Sequence, residues 1–248
     1  MTSAPDLPVT GAWGKADIVN HLAAVHGYRE YLELCTANTG GFYAAVDRSR
    51  LHCRRLMYRC PDAYDDGMVV DFRSGDLDIA PCLREVQSRG LRFDAVFVDP
   101  WHEYGTTRRD LEAAFDLVVD GGAVVVHDCN PPRAEIATPE VSPLGWCGVT
   151  YRAYLDFVTA RDDLTYFTVD TDYGVGVIRK RRTESSTDAE TTALVQGLQR
   201  IGDDFEAAFR FFQDHRRRLL DLRTVEQFLS MERPSGAPPS PTAHSTKS

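Results

Sequence analysis

Three short segments of the sequence place acids, histidines and hydroxyl groups directly after apolar runs. They are residues 33–41, which begin with Glu33, residues 99–104, which begin with Asp99, and residues 127–130, which read His-Asp-Cys-Asn. In an open α/β sheet, ligands bind outside the carboxyl ends of the strands. If the three runs are neighbouring strands, these segments meet at one site, although any single acid of this kind can equally cap a helix or anchor a loop.

Asp99 and Asp128 are carboxylates that could share a divalent cation such as Mg²⁺, because hard cations prefer oxygen ligands and keep waters that a substrate can replace. His127 and Asn130 flank Asp128 in the sequence. In the alternative interpretation, Asp128 caps a loop and Asp99 holds a backbone turn. His102 is the candidate for proton transfer, since an imidazole accepts a proton near neutral pH, but it could equally be a hydrogen-bonded loop histidine.

The elements that would position these groups alternate between strands and helices. Apolar runs predict strands at 31–35, 69–72, 93–98, 123–126, 165–169 and 174–178, and helical spacing predicts helices at 18–25, 79–89, 111–118 and 151–158. The sequence Asp-Gly-Gly at 120–122 is predicted to end the third helix. Residues 47–66 show no clear period, so the second strand is not placed there. This alternation predicts a doubly wound α/β fold with a mostly parallel sheet.

Composition limits the function classes. The 248 residues are 43% hydrophobic, and the net charge of −9 argues against binding to nucleic acid or a membrane surface and favours a small-molecule substrate. The six cysteines have no paired spacing, which predicts reduced thiols and a cytoplasmic location. No apolar run approaches the roughly 20 residues needed to span a bilayer.

The sequence also predicts how the chain is divided. We expect a flexible N-terminal segment (1–14), an α/β domain (15–180), a C-terminal helical extension (181–233) and a disordered tail rich in Pro, Ser and Thr (234–248). The extension carries an apolar stripe that includes Phe205, Phe209 and Phe212. This stripe packs either against the core or against a second subunit, and the second case predicts a homodimer.

Taken in order, these segments resemble the class I S-adenosylmethionine-dependent methyltransferases, in particular a small-molecule branch of them. The resemblance is carried by residues 17–22 with 31–34, 93–99 with 102–104, 120–122, 127–132 and 169–174. It extends from the first helix to about Lys180. It implies a seven-stranded, Rossmann-like sheet whose last strand is antiparallel, with the cofactor lying over the first turn.

The resemblance also implies site residues. Glu33 and the loop 36–41 would bind the methionine end of the cofactor, Asp76 would lie near the adenine, and Asp99 near the sulfonium and the substrate. The implied cofactor-binding set is Glu33, Thr36, Asn38, Gly40, Gly41, Asp76 and Asp99. Members that use a metal bind it through acids that correspond here to Asp99 and Asp128.

The sequence departs from the family pattern at the first loop. Cys35 and Thr39 occupy positions where the family has glycines, which let the backbone approach the ligand, and Gly40 and Gly41 follow one and two residues late. The loop is therefore reshaped, or the cofactor site is weakened. The acid that would bind the cofactor ribose stays open among Asp47, Asp62 and Asp65.

Three functions remain in competition. The leading one is methyl transfer to an oxygen or nitrogen of a small metabolite, such as a sugar or a natural-product scaffold, with His102 as the base or a cation on Asp99 and Asp128 lowering the pKa of the acceptor. The altered first loop motivates the second, a cyclisation or other non-methylating reaction. The third is a non-catalytic binding or assembly protein that uses the phenylalanine stripe as its interface.

Overall fold

The structure is a computed structural model that describes residues 13–37, 42–142, 145–181 and 188–233. Its helices are α1 (Lys15–His26), α2 (Phe42–Ala45), α3 (Ala80–Ser88), α4 (Tyr104–Leu117), α5 (Thr150–Thr159), α6 (Ala189–Ile201), α7 (Phe205–Leu219) and α8 (Val225–Met231). Its strands are β1 (Glu30–Thr36), β2 (His52–Tyr58), β3 (Phe72–Arg73), β4 (Phe93–Asp99), β5 (Val118–Val126), β6 (Leu164–Val169), β7 (Val175–Lys180) and β8 (Leu222–Arg223).

The strands form one sheet in the order β3-β2-β1-β4-β5-β7-β6-β8. Strands β2, β1, β4 and β5 pair in parallel, and β7 runs antiparallel to both of its neighbours. The predicted doubly wound α/β fold with an antiparallel last strand is therefore confirmed. The sheet has eight strands rather than the predicted seven because the two-residue β8 adds to the outer edge of β6.

The central strands are buried on both faces, and the two-residue period of a strand divides their side chains between two cores. Leu32 and Leu34 of β1 pack in the core that α3 to α7 cover. Tyr31, together with Phe97 of β4, packs in the other core, which α1, α2 and α8 cover. Asp99 is two residues beyond Phe97, so its side chain leaves the end of β4 on the α1 side of the sheet.

Two predicted strand positions need correction. The structure places β2 inside the stretch 47–66 that lacked a period, because Arg54 and Arg55 interrupt its apolar pattern while Arg55 is buried against acidic partners. The strand predicted at 69–72 is reduced to β3, and Val69 is exposed.

The glycine pair at 121–122 does not end a helix, as predicted, because α4 stops at Leu117 and β5 begins directly afterwards. A Cβ on Gly122 would lie 2.5 Å from the backbone oxygen of Asp94. Glycine is thus required there for the close approach of β5 to β4.

The C-terminal helices join the main core. Phe212 of α7 is fully buried in the core that α4 and α5 line, and Phe209 is nearly so. The phenylalanine stripe therefore packs against its own chain, and a homodimer through this region stays a prediction. Within the described residues, no helix is both long and apolar enough to cross a membrane.

Helix α8 packs on α1, on the opposite face of the sheet. The Phe228 ring lies 5.1 Å from the His21 ring and also contacts Trp13. Just beyond α8, the Glu232 carboxylate lies 2.7 Å from Nε2 of His26 and 2.8 Å from a guanidinium nitrogen of Arg179. The end of the described chain is thus fastened to the first helix.

Candidate active site

The ends of β4 and β5 bring three of the predicted site residues together. Asp99 closes β4 and Asp128 follows β5, its parallel neighbour, while His102 lies in the turn that leads to α4. Ligand atoms of these three side chains lie within 4.8 Å of one another. The Nε2 atom of His102 is 3.5 Å from Oδ2 of Asp128. Two of the three strand ends that were expected to meet, those of β4 and β5, are therefore brought together, and the roles of the three residues remain proposals.

His127 is a buried histidine surrounded by carboxylates. Its Nδ1 lies 3.2 Å from Oδ2 of Asp128, and its Nε2 lies 3.3 Å from Oδ1 of Asp172. Burial alone would lower the pKa of His127, but Asp128 and Asp99 outweigh it and raise this pKa well above its ordinary value. The hydrogen bond from His127 in turn lowers the pKa of Asp172 to about 2.

Lys15, the first residue of α1, also reaches this cluster. Its Nζ lies 2.9 Å from Oδ2 of Asp99 and 3.3 Å from Nδ1 of His127. Burial disfavours the charged form of both Lys15 and Asp99, but the interaction with Asp99 outweighs it and raises the pKa of Lys15. Likewise, His127 and Lys15 together hold the pKa of Asp99 well below its usual range. Sequence reasoning missed Lys15, because nothing in its neighbourhood marks a strand end.

Asp172 lies in the segment 169–174, and the sequence alone does not assign it to the site. Its Oδ2 accepts the backbone N–H of Lys15 at 3.0 Å, so the turn between β6 and β7 holds the start of α1. Asn130, by contrast, is engaged away from the acids: its amide nitrogen donates to Oδ1 of Asp170 at 2.9 Å. Asp128 itself adopts a φ of +62°, an uncommon left-handed conformation that turns the chain out of β5.

His102 is held from several sides. Its Nδ1 lies 3.2 Å from the hydroxyl of Thr150, and the ring of Trp146 meets its ring edge-on at a centroid distance of 5.2 Å. Burial is the largest influence on the pKa of His102 and lowers it. The imidazole is consequently neutral at neutral pH and can accept a proton.

Gly148 packs closely against the backbone of His102. A Cβ at this position would lie 2.2 Å from the backbone oxygen of His102, and the residue has a φ of +55°. We expect Gly148→Ala to lower the free energy of unfolding by about 1–3 kcal/mol more than Gly90→Ala does. Both substitutions place a side chain at a positive φ, but only Gly148→Ala also creates a steric clash. Gly90 has a φ of +64° and open space around it. Thermal or denaturant unfolding of the two variants measures the difference, and equal losses would contradict the clash.

On the cofactor side, Glu33 is completely buried on β1. Its Oε1 accepts from the Cys35 thiol at 3.1 Å and from Nε of Arg55 at 3.3 Å. Its Oε2 has no hydrogen-bond partner in the part of the chain that the structure describes. Burial raises the pKa of Glu33 to about 7. Arg55, which sequence reasoning also missed, is 1% exposed and extends the pair to Asp66 at 2.6 Å.

Of the remaining predicted cofactor residues, only Thr36 and Asp76 lie among the residues that the structure describes. Thr36 is buried at the end of β1, whereas Asn38, Gly40 and Gly41 lie outside the described residues, as does Thr39. Asp76 is exposed after β3 and lines a cleft of about 560 Å³ together with Arg59.

The structure does not place an acid at the end of β2. The residue that follows β2 is Arg59, with a φ of +49° and its guanidinium 3.6 Å from the centroid of the Trp101 ring. Of the three open ribose candidates, Asp47 is bonded to Ser49 in a turn, and Asp65 accepts the N–H of Gly67. The choice among Asp47, Asp62 and Asp65 therefore stays open.

The family model described as a methyltransferase domain matches residues 19–129. This segment is a methyltransferase domain. It includes β1, β4 and the end of β5, and therefore Glu33, Asp99, His102 and Asp128, whereas Lys15 lies before it. The methyltransferase family predicted from the sequence is confirmed at the level of this domain, and with it the assignment as a transferase. A search of curated protein sequences gives no significant match.

Several solved structures resemble the chain. The O-methyltransferase TomG of Streptomyces achromogenes, involved in tomaymycin synthesis and solved with S-adenosylmethionine, is 19% identical over 66% of this chain and 78% of its own, with a TM-score of 0.48. An O-methyltransferase of Bacillus cereus, solved with S-adenosylhomocysteine, is 15% identical over 71% and 84%, with a TM-score of 0.48. The methyltransferase MycE of mycinamycin biosynthesis, solved with Mg, S-adenosylhomocysteine and mycinamycin VI, is 17% identical over 66% and 48%, with a TM-score of 0.42. With TM-scores below 0.5, these resemblances add no argument to the domain match.

Proposed function

We propose that the protein transfers the methyl group of S-adenosylmethionine to an oxygen or nitrogen of a small molecule, such as a sugar or a natural-product scaffold. The observation that supports this most is the cluster of Asp99, His102 and Asp128, which lies at the strand ends of the methyltransferase domain. A hydroxyl acceptor suits the cluster best, because a hydroxyl must lose a proton as it attacks and the cluster contains a neutral imidazole.

The residues at the end of β1 fit the cofactor. A buried carboxylate oxygen without a partner is costly, so Oε2 of Glu33 is suited to a ligand that brings a cationic or N–H donor, as the amino group of S-adenosylmethionine does. We therefore assign Glu33, Thr36, Asn38, Gly40 and Gly41 to the methionine end, and Asp76 to the adenine end. When bound, the cofactor supplies a methyl group activated by its positively charged sulfur.

His102 is the residue to which we assign proton transfer. The acceptor O–H would donate its proton to Nε2 of His102 as the acceptor oxygen forms a bond to the methyl carbon and the carbon–sulfur bond breaks. Asp128, 3.5 Å from that nitrogen, would stabilise the imidazolium that forms, and Thr150 would keep the ring oriented. The products are the methyl ether and S-adenosylhomocysteine, and the proton then passes from His102 to solvent.

A divalent cation, if bound, would be held by Asp99 and Asp128, with His102 as a nitrogen donor. The two carboxylates match the oxygen preference of Mg²⁺ or Mn²⁺. Its chemistry would be to lower the pKa of the acceptor hydroxyl. Lys15 and His127 already bring positive charge to the same carboxylates, however, so the proton-transfer path above does not depend on a metal.

Calorimetry with the purified chain tests the cofactor assignment. We expect saturable binding of S-adenosylmethionine and S-adenosylhomocysteine, with and without added magnesium. Absence of saturable binding under both conditions would refute the proposal.

Product analysis with a panel of hydroxylated and aminated small molecules tests the reaction. Methylated product together with S-adenosylhomocysteine supports methyl transfer, whereas methylthioadenosine would indicate that a different bond is cut. A cytoplasmic location and a homodimer remain part of the proposal, and sizing experiments test the homodimer.

A further inference from the structure

We propose that Lys15 is a built-in cation of the active site, occupying Asp99 in competition with a divalent ion. The wild-type centre would then bind metal weakly, and removing the ammonium group would convert Asp99 and Asp128 into a true metal site. The inference takes its catalytic meaning from the proposed function, but it concerns cation occupancy and can be tested without cofactor or acceptor.

Lys15 lies against one of the two carboxylates of the candidate metal site. Nζ of Lys15 lies 2.9 Å from Oδ2 of Asp99, and a shared metal ion would need the same carboxylate group. Metal–oxygen bonds to Mg²⁺ are about 2.0–2.1 Å long, so an ion on Asp99 would be forced close to the ammonium group. Like charges at such a distance repel strongly when they are largely buried, and the Lys15 side chain is only 18% exposed.

The net charge of the cluster also depends on Lys15. Three carboxylates, those of Asp99, Asp128 and Asp172, surround Lys15 and His127. Removing the Lys15 ammonium group makes this cluster more negative by one charge, which favours the binding of a divalent ion at Asp99.

The backbone at the start of α1, which carries Lys15, is held in place by the turn between β6 and β7. The backbone N–H of Lys15 donates to Oδ2 of Asp172 at 3.0 Å, and the hydroxyl of Thr171 donates to the backbone oxygen of Trp13. Both bonds tie the start of α1 to the turn between β6 and β7. The apolar side of the helix, which includes Ile18 and Leu22, is buried against the sheet.

Aromatic rings near the Lys15 ammonium group also favour an organic cation over a metal ion at this position. Nζ of Lys15 lies 5.4 Å from the centroid of the Phe42 ring and 5.8 Å from that of Phe97. Aromatic faces stabilise an ammonium group, whereas Mg²⁺ and Mn²⁺ usually keep several waters as ligands. The α1 side of Asp99 is therefore built for an organic cation.

Titration with Mn²⁺, followed by electron paramagnetic resonance on the chelator-treated full chain, tests the proposal. We expect Lys15→Met to bind Mn²⁺ roughly tenfold or more tightly than the wild type, and Lys15→Arg, which keeps the charge, to bind as weakly as the wild type. Adding Asp128→Asn to Lys15→Met should abolish the gain, because it removes one of the two carboxylates.

Thermal unfolding of each variant shows whether it is folded, and Lys15→Gln replaces Lys15→Met if the latter is not. The proposal is overturned if the neutral variants bind Mn²⁺ no more tightly than the wild type, whether binding is tight in all of them or weak in all. A separate titration with S-adenosylmethionine reports on the proposed function, so failure of one inference is distinguishable from failure of the other.

Discussion

Replacing His102 by alanine is expected to lower kcat for methyl transfer by about 10²- to 10⁴-fold, the range typical of a lost general base. This loss is expected because the imidazole of His102 is neutral and only 14% exposed, its Nε2 lies beside Asp128 and its Nδ1 is oriented by Thr150. The measurement is initial-rate kinetics with an acceptor identified by product analysis.

Cofactor affinity separates a catalytic effect of His102→Ala from a structural one. We expect the calorimetric Kd for S-adenosylmethionine to change less than about threefold, since His102 lies on the acceptor side in the proposed mechanism. His52→Ala is the matched control, because His52 is exposed at the start of β2. A variant that keeps most of its kcat would rule out His102 as the base.

Glu33→Gln is expected to weaken S-adenosylmethionine binding and to remove its pH dependence. Because the pKa of Glu33 is raised to about 7, the wild-type carboxylate is mostly ionised at pH 8 and mostly protonated at pH 6. If the ionised form binds the cofactor amine, affinity should fall by up to about tenfold between these pH values. Calorimetry at both pH values measures this, and Glu30→Gln on the same strand is the control.

The pH dependence of the free energy of unfolding gives an independent check on the raised pKa of Glu33. The folded-state pKa of Glu33, about 7, lies above the ordinary value of 4.5, so between these pH values the folded protein holds a proton that the unfolded chain has lost. This group therefore makes the cofactor-free protein less stable as the pH rises from about 4.5 to about 7. Glu33→Gln should remove that contribution. If the variant and the wild type show the same dependence of unfolding free energy on pH, Glu33 does not titrate between pH 4.5 and 7.

The sequence predicted those parts of the fold where local pattern and tertiary environment agree. Strand β4 is apolar except for Asp94 and its final Asp99, and its central residues are buried on both faces, so the strand and the acid that ends it were both evident. Strand β2 was missed because Arg55 sits in the core, and a charged residue becomes acceptable there only when its partners, Glu33 and Asp66, are known.

The site was likewise predictable from the sequence only in part. Asp99 and Asp128 were predictable because adjacent parallel strands end at the same edge of a sheet. Lys15 was not, since it is 84 residues from Asp99 in the sequence and reaches it only through the packing of α1. The end of β2 could not be predicted either, because the residue there is Arg59 rather than an acid, and its guanidinium stacks on Trp101.

The contact between α8 and α1 has a consequence for how the protein is made. Lys15 is synthesised early, but the helix that carries it is clamped by Phe228 and Glu232, more than 200 residues later. Contacts of such long sequence separation form late in folding, because the chain between them must first be ordered. We therefore expect the cation at Asp99 to be fixed only after the ribosome has released the C-terminal helices, so that a nascent chain with a complete sheet still lacks a finished active site.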